Sequence, residues 1–212
     1  MAIAEQMTAF DWEHASWQEA KTHVLTFTDL LGTPIDAGIV ETVVVLNLLG
    51  LQTFQSCEGH LTDGCAYPWI TLVHRPLSGR FVRRWQEVCQ LEELANASGT
   101  IEAYDSYLAE KVRLQMDATK WEEEDVFSRQ LKEWLGEFYA QEECVQYKPE
   151  RLVVIKYHPG MVRLEPFFGS HTKSPSEALK SVYLTRGQAE MQAFTHYLKK
   201  RWLQGRDHAN NA

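Results

Sequence analysis

Cysteine is sparse in this chain. Cys57, Cys65, Cys89 and Cys144 are scattered over 212 residues without a CxxC pair. The spacing matches no zinc knuckle or redox pair, and in a reducing compartment all four are expected to be thiols. Long apolar runs are missing as well. The longest, Val43 to Leu51, is interrupted by Asn47 and Gly50, well short of the ~20 apolar residues of a membrane helix. Met1-Ala2-Ile3-Ala4-Glu5 shows no basic segment followed by an apolar one, so no secretory signal and no membrane partner are expected, and the expected location is cytoplasmic. Positive charge is also short: Lys+Arg 21 stand against Asp+Glu 29, a formal net charge of -8. Without a basic field the chain is not expected to bind nucleic acid in bulk, although a local basic patch remains compatible with the count. Neither an internal repeat nor a low-complexity linker is present.

What is present fits one ordinary globular unit. Hydrophobic residues make up 44% and aromatic residues 11%, and 212 residues suffice for one substantial core. Residues 1–16 read as an arm in which Phe10 and Trp12 dock. Periodicity predicts a helix from Trp17 to Leu31, through Ala20, Val24 and Phe27. Thr33-Pro34-Ile35-Asp36 reads as the start of a second helix, with Thr33 as cap, Pro34 at the first helical position and Asp36 as a first-turn charge, ending at Gly50. Strands are expected at Leu51–Ser56 and Trp69–His74. Helices follow at Ser78–Ala95, Tyr104–Met116 and Trp121–Gln141, the last opened by acidic Glu122 to Asp125. Arg151–Tyr157 and Met161–Phe168 read as a hairpin turned by His158-Pro159-Gly160. Capping-box patterns at Ser174-Pro175-Ser176-Glu177 and Thr185-Arg186-Gly187-Gln188 predict two closing helices, followed by a polar, disordered tail over 204–212. The expected architecture is a single α+β domain over 17–203. It has a mixed sheet, flanking helices and a helical insertion over 78–145.

The chemistry concentrates in Ser56-Cys57-Glu58-Gly59-His60. Thiol, carboxylate and imidazole fall within four positions, and Gly59 lets the backbone approach a ligand. Cys57 and His60 can act as thiolate and base, or serve as a packed thiol beside a histidine bonded to backbone. Cys57-x2-His60-x4-Cys65, with His74 nine residues further on, offers zinc-type ligands as an alternative reading. Arg163 and Glu165 share a strand face, so Glu165 and Glu58 are candidate acid/base carboxylates, or the face is exposed and carries an ordinary cross-strand ion pair. The cluster His74-Arg75, Arg80, Arg83-Arg84 surrounds a helix start and can meet an anion, or it is a solvated face. The seven tryptophans fall mostly at core-facing spacing.

Two segments resemble the TYW3-like family, whose characterised members act in wybutosine modification of tRNA. The first runs from Asp36 through Leu46-Asn47 and Thr53 to Ser56-Cys57-Glu58-Gly59-His60, where that family has a Ser-Cys-Ser-Gly-Arg turn. The second is Arg163-Leu164-Glu165-Pro166-Phe167, which is similar to the family's Lys-Phe-Glu-Pro-Phe strand. Glu58 stands where the family has serine and His60 where it has arginine, and its Ser-Gly…Arg-Asn-Ser-Gly segment has no counterpart. The resemblance implies a TYW3-like core and an enzyme that uses S-adenosylmethionine on a nucleotide- or RNA-type ligand. Cys57, His60, Glu58 and Glu165 would then carry the chemistry, and Ser56, Gly59, Arg163, Arg83 and Arg84 the ligand. A non-catalytic ligand-sensing or protein-interaction module, and a zinc-stabilised domain, are the competing readings.

Overall fold

The computed structural model describes residues 10–28, 33–62, 65–73, 78–119, 125–141, 148–158, 161–171 and 176–210. In chain order these form α1 (Trp17–Val24), α2 (Val40–Leu48), β1 (Thr53–Cys57), β2 (Trp69–Val73), α3 (Ser78–Ser98), α4 (Ile101–Thr119) and α5 (Asp125–Ala140). They continue with β3 (Leu152–His158), β4 (Met161–Pro166), α6 (Phe167–His171) and α7 (Glu177–Asn210). The class is α+β, a sheet with flanking helices. No described helix is long and apolar enough to cross a membrane.

The strands lie in the order β1-β2-β4-β3, and every pairing is antiparallel. The expected mixture of directions does not occur. The described residues between β1 and β2, 58–62 and 65–68, contain no helix, and a parallel neighbour would need a crossover of about a dozen residues or more. The register sets Cys57 opposite Trp69 and Arg163 opposite Thr71.

One face of the sheet carries the main core. Ile70, Leu72, Leu152, Val162 and Leu164 meet α1, α2, α5 and α7 there. Every residue of α2 except Glu41 is buried, as expected of a helix apolar on all sides. The run Val43-Val44-Val45 disfavours a helix by roughly 0.5 kcal/mol per residue. Burial of each valine contributes about 1.5 kcal/mol or more, so packing decides. Thr42, Thr195, Asn47 and Thr53 enter this core with partners. The Thr42 and Thr195 hydroxyls are 2.7 Å apart and Thr195 Oγ1 donates to the Met191 carbonyl. The Asn47 amide donates to the Val43 carbonyl and Thr53 Oγ1, tying α2 to β1.

The expected helical insertion divides between two places. α3 and α4 pack on each other and, through Val88, Ala95, Tyr107 and Leu114, on Val73 and Met161 in a second cluster. α5 joins the main core through Leu131, Trp134 and Leu135.

Several boundaries differ from the sequence reading. α1, expected to run to Leu31, ends at Val24, and the strand expected to reach Phe168 ends at Pro166, with Phe167 and Phe168 in α6. Pro34 pairs with Thr28 in an isolated bridge, and α2 begins only at Val40. The Asp36 carboxylate is engaged with residues 58–60, so it does not serve as a first-turn charge. Thr185-Arg186-Gly187-Gln188 does not start a helix. Thr185 Oγ1 donates back to the Ser181 carbonyl, and α7 runs through it and on over 204–210. A helical hydroxyl that bonds four residues back cannot act as a cap. Phe10 and Trp12 dock, with Trp12 buried and Phe10 stacked on His23 at 4.1 Å. Leu31, His74, Arg75, Trp121, Cys144, Pro159, Gly160, Ser174 and Pro175 lie outside the described residues.

Candidate functional site

β1 runs out at Cys57, and the chain then turns at Gly59, whose φ is +88°. A Cβ there would sit 2.6 Å from Leu184 Cδ1 and 2.7 Å from the Tyr67 carbonyl carbon. Glycine is therefore required twice, by conformation and by space. The turn is held from three sides. Glu58 N–H donates to Asp36 Oδ2 at 3.0 Å, Gln188 Nε2 of α7 donates to the Glu58 carbonyl at 3.0 Å, and His60 N–H donates to the Cys65 carbonyl at 2.9 Å.

The Glu58 side chain accepts from Gly38 N–H at 2.6 Å. Gly38 belongs to the turn that leads into α2, so this carboxylate does the work that sequence pattern assigned to Thr33. A negative group is also well placed at a helix N-terminus. Glu58 is thus committed to a backbone donor.

Asp36 gathers the other two reactive groups. His60 Nε2 lies 3.2 Å from Asp36 Oδ2, and one ligand atom each of Asp36, Cys57 and His60 fall within 4.8 Å of one another. Cys57 Sγ also accepts the Gly59 N–H at 3.3 Å. Burial pushes the Cys57 thiol above its ordinary value. The Gly59 N–H opposes that rise, and the charge of Asp36 adds to it. The surroundings of the free cysteine therefore favour thiol over thiolate, and His60 pairs with the carboxylate. Asp36 is the member that sequence reading missed. Its signal was present only as a presumed helix-start charge, 21 residues from Cys57 in the chain.

Beside this cluster lies a cleft of about 310 Å³ along β1, the outer strand of the sheet. Phe27, Pro34, Ile35, Phe54, Trp69 and Trp85 line it, with Asp36, Gln55, Ser56 and Cys57 as polar members. None of its described lining residues is cationic. Ser56 and Cys57 therefore stand at a cavity.

The remaining candidates lie apart from it. Arg163 is held between aromatic rings, with its guanidinium carbon 4.2 Å from the Trp69 centroid and 3.6 Å from that of Tyr157. It also stands 4.0 Å from Glu165. Glu165 is only 1% exposed and is separated from β1 by β2. Its neighbours are Arg163 and Tyr67, whose hydroxyl is pushed up by burial and then by the charge of Glu165. The expectation of an exposed strand face is thus replaced by a covered ion pair behind Trp69. On α3, Arg83 is exposed, while Arg84 reaches Glu110 of α4 at 3.9 Å. Of the alternative zinc set, Cys65 is half-buried and close enough to Cys57 to influence it, and His74 lies outside the described residues. A scan against protein-family models and searches of curated proteins and of solved structures return no match to this chain.

Proposed function

We propose that this chain binds a flat, nucleoside-type small molecule in the cleft beside β1, with the Ser56–His60 turn at its polar end. The observation that carries this reading is the lining. Four aromatic rings from Phe27, Phe54, Trp69 and Trp85 and a handful of convergent polar groups share one cavity. That combination suits an apolar ring plane with hydrogen-bonding edges. The volume is at the small end of the ligand-pocket range of about 300–1,000 Å³, which favours a nucleoside over a longer molecule. The absence of cations among the described lining residues favours a neutral or positively charged ligand over a phosphate, since phosphate sites draw on Arg, Lys or helix N-termini.

The resemblance to the wybutosine-modification family implies a nucleotide- or RNA-type ligand, of which this cleft suits the base and sugar. The residues present fit only part of S-adenosylmethionine. Aromatic walls suit its adenine and Asp36 suits ribose hydroxyls or an ammonium group, but its carboxylate meets no cation among the described lining residues. The supported activity is therefore nucleoside binding. Glu58 and Glu165 are both engaged in the fold, and the Cys57 surroundings hold its sulfur protonated, which favours a ligand-sensing module over an acid/base enzyme.

A thermal-shift series with adenosine, guanosine, cytidine, uridine and S-adenosylmethionine tests this. A nucleoside at 100 times its dissociation constant stabilises by about 2.7 kcal/mol, which raises Tm by several degrees for a chain of this size. Trp85→Ala should abolish the shift. If no nucleoside moves Tm, or if the shift survives in Trp85→Ala, the cleft is not the binding site.

A further inference from the structure

We propose that Asp36, Cys57 and His60 form a binding site for a zinc-type divalent metal ion, a site that goes beyond the ligand reading and stands without it. The donor set is the Cys57 sulfur, which gives up its proton to solvent when a metal ion binds, one imidazole and one carboxylate. Zinc takes that combination in sites with three protein ligands, whereas calcium and magnesium require mainly oxygen donors.

The geometry is close to what a tetrahedral ion needs. Ligand atoms at about 2.0–2.1 Å for nitrogen and oxygen, and about 2.3 Å for sulfur, are separated from each other by roughly 3.3–3.6 Å around a tetrahedral centre. His60 Nε2 and Asp36 Oδ2 are already 3.2 Å apart. With all three ligand atoms inside 4.8 Å, coordination requires a contraction of about 1.5 Å at most.

The surroundings position these ligands independently. Asp36 is oriented by Glu58 N–H, Cys57 ends a sheet strand and receives Gly59 N–H, and His60 is fixed through its own N–H on Cys65. Outer hydrogen bonds of this kind hold metal ligands in place and tune them. They also reinterpret the turn: the Gly59 conformation and the Gln188 bond both serve to hold His60 and Cys57 toward the same carboxylate. Asp36 and Cys57 also line the cleft, which places the ion at the polar end of the cavity.

The test uses the full chain stripped with chelator and titrated with Co²⁺, read by visible and near-ultraviolet absorption without any nucleoside present. The expected result is one Co²⁺ per chain, tetrahedral d–d bands and a thiolate-to-cobalt charge-transfer band. Zn²⁺ should displace the cobalt. Replacing an outer-shell partner weakens metal sites by about 10–100-fold, so loss of a direct ligand in Cys57→Ser or His60→Ala should weaken binding by about 100-fold or more. X-ray absorption of the zinc-loaded natural chain covers the case in which a variant does not fold, and one sulfur at about 2.3 Å is expected. Absence of stoichiometric binding, a metal shell of nitrogen and oxygen alone, or full binding by Cys57→Ser would overturn the site. Nucleoside binding by the chelated protein is measured separately, so either proposal can fail without the other.

Discussion

The Ser56–His60 turn can be divided residue by residue into what holds the chain and what remains for a ligand. Glu58 is on the first side, because its carboxylate answers a backbone N–H 20 residues earlier. Glu58→Ala should destabilise the fold by about 1–2 kcal/mol, and Glu58→Gln, which keeps an acceptor oxygen, by about half as much. Urea unfolding of the two variants checks this. Equal losses would show that the charge, not the hydrogen bond, matters. Cys57 and His60 are on the second side through their common partner Asp36. The motif itself could be read from residue types, because thiol, glycine and histidine in so short a space are conspicuous. The partner could not, since contact between Asp36 and His60 is created by a turn whose φ and surroundings no periodicity encodes. Glu165 failed for a related reason. Strand alternation located its face correctly, but nothing local announced that Trp69, Tyr157 and Tyr67 would cover that face.

At the scale of elements, α2 and the sheet strands were legible because their apolar patterning is strong, whereas helix ends were not. Pro34 and Thr185 look like starts, yet the first is used in a bridge with Thr28 and the second inside α7. Gly187 is the clearest case of a tertiary demand overriding a local one. A Cβ there would lie 3.0 Å from Pro68 Cδ, 3.1 Å from Pro166 Cγ and 3.2 Å from Phe168 Cζ. Alanine gains about 1 kcal/mol of helix propensity, but crowding against two proline rings that cannot rotate away costs about 1–3 kcal/mol. Gly187→Ala should therefore destabilise, while Gly136→Ala in α5, where a Cβ meets nothing within 4 Å, should stabilise by up to about 1 kcal/mol. Thermal melts of both variants give the sign directly.

Helix assembly also carries a pH signature. Glu41 of α2 bonds Lys21 of α1 at 2.9 Å and lies 3.6 Å from Lys199 of α7. Its carboxyl is held below the usual value, first by the Lys21 hydrogen bond, against a smaller opposing effect of burial. A lowered folded-state pKa means that this stabilisation is complete above the ordinary carboxyl value of 4.5 and is lost as pH falls below it. All three side chains are a third or more exposed, or close to it, so screening limits the contribution to about 0.5–1 kcal/mol. Glu41→Gln should lower stability by that amount at pH 7 and low salt, and by much less near pH 3 or in 1 M salt.

For the whole molecule, the fold and the site have different visibility. An α+β class could be read from helical spacing on both sides of short strands, and its main core is the one those spacings describe. The cleft could not, because its walls come from Phe27, from residues 33–36, from Val43 of α2, from β1, from Trp69 and from Trp85 of α3, six stretches that only the packed chain brings together. The net charge of -8 and a cleft without described cations point the same way, to a small neutral or cationic ligand and away from a phosphate backbone.

The tryptophans supply the most direct reporters of that claim. Trp69 and Trp85 line the cleft, whereas Trp12, Trp17, Trp134 and Trp202 belong to the main core or pack against it. Indole nitrogen–proton correlation spectra of ¹⁵N-labelled protein, recorded during titration with the nucleoside that gives the largest thermal shift, separate these groups. The account predicts saturable movement of the Trp69 and Trp85 resonances with the four core indoles unchanged. Saturable binding that moves the core indoles and leaves Trp69 and Trp85 in place would contradict it.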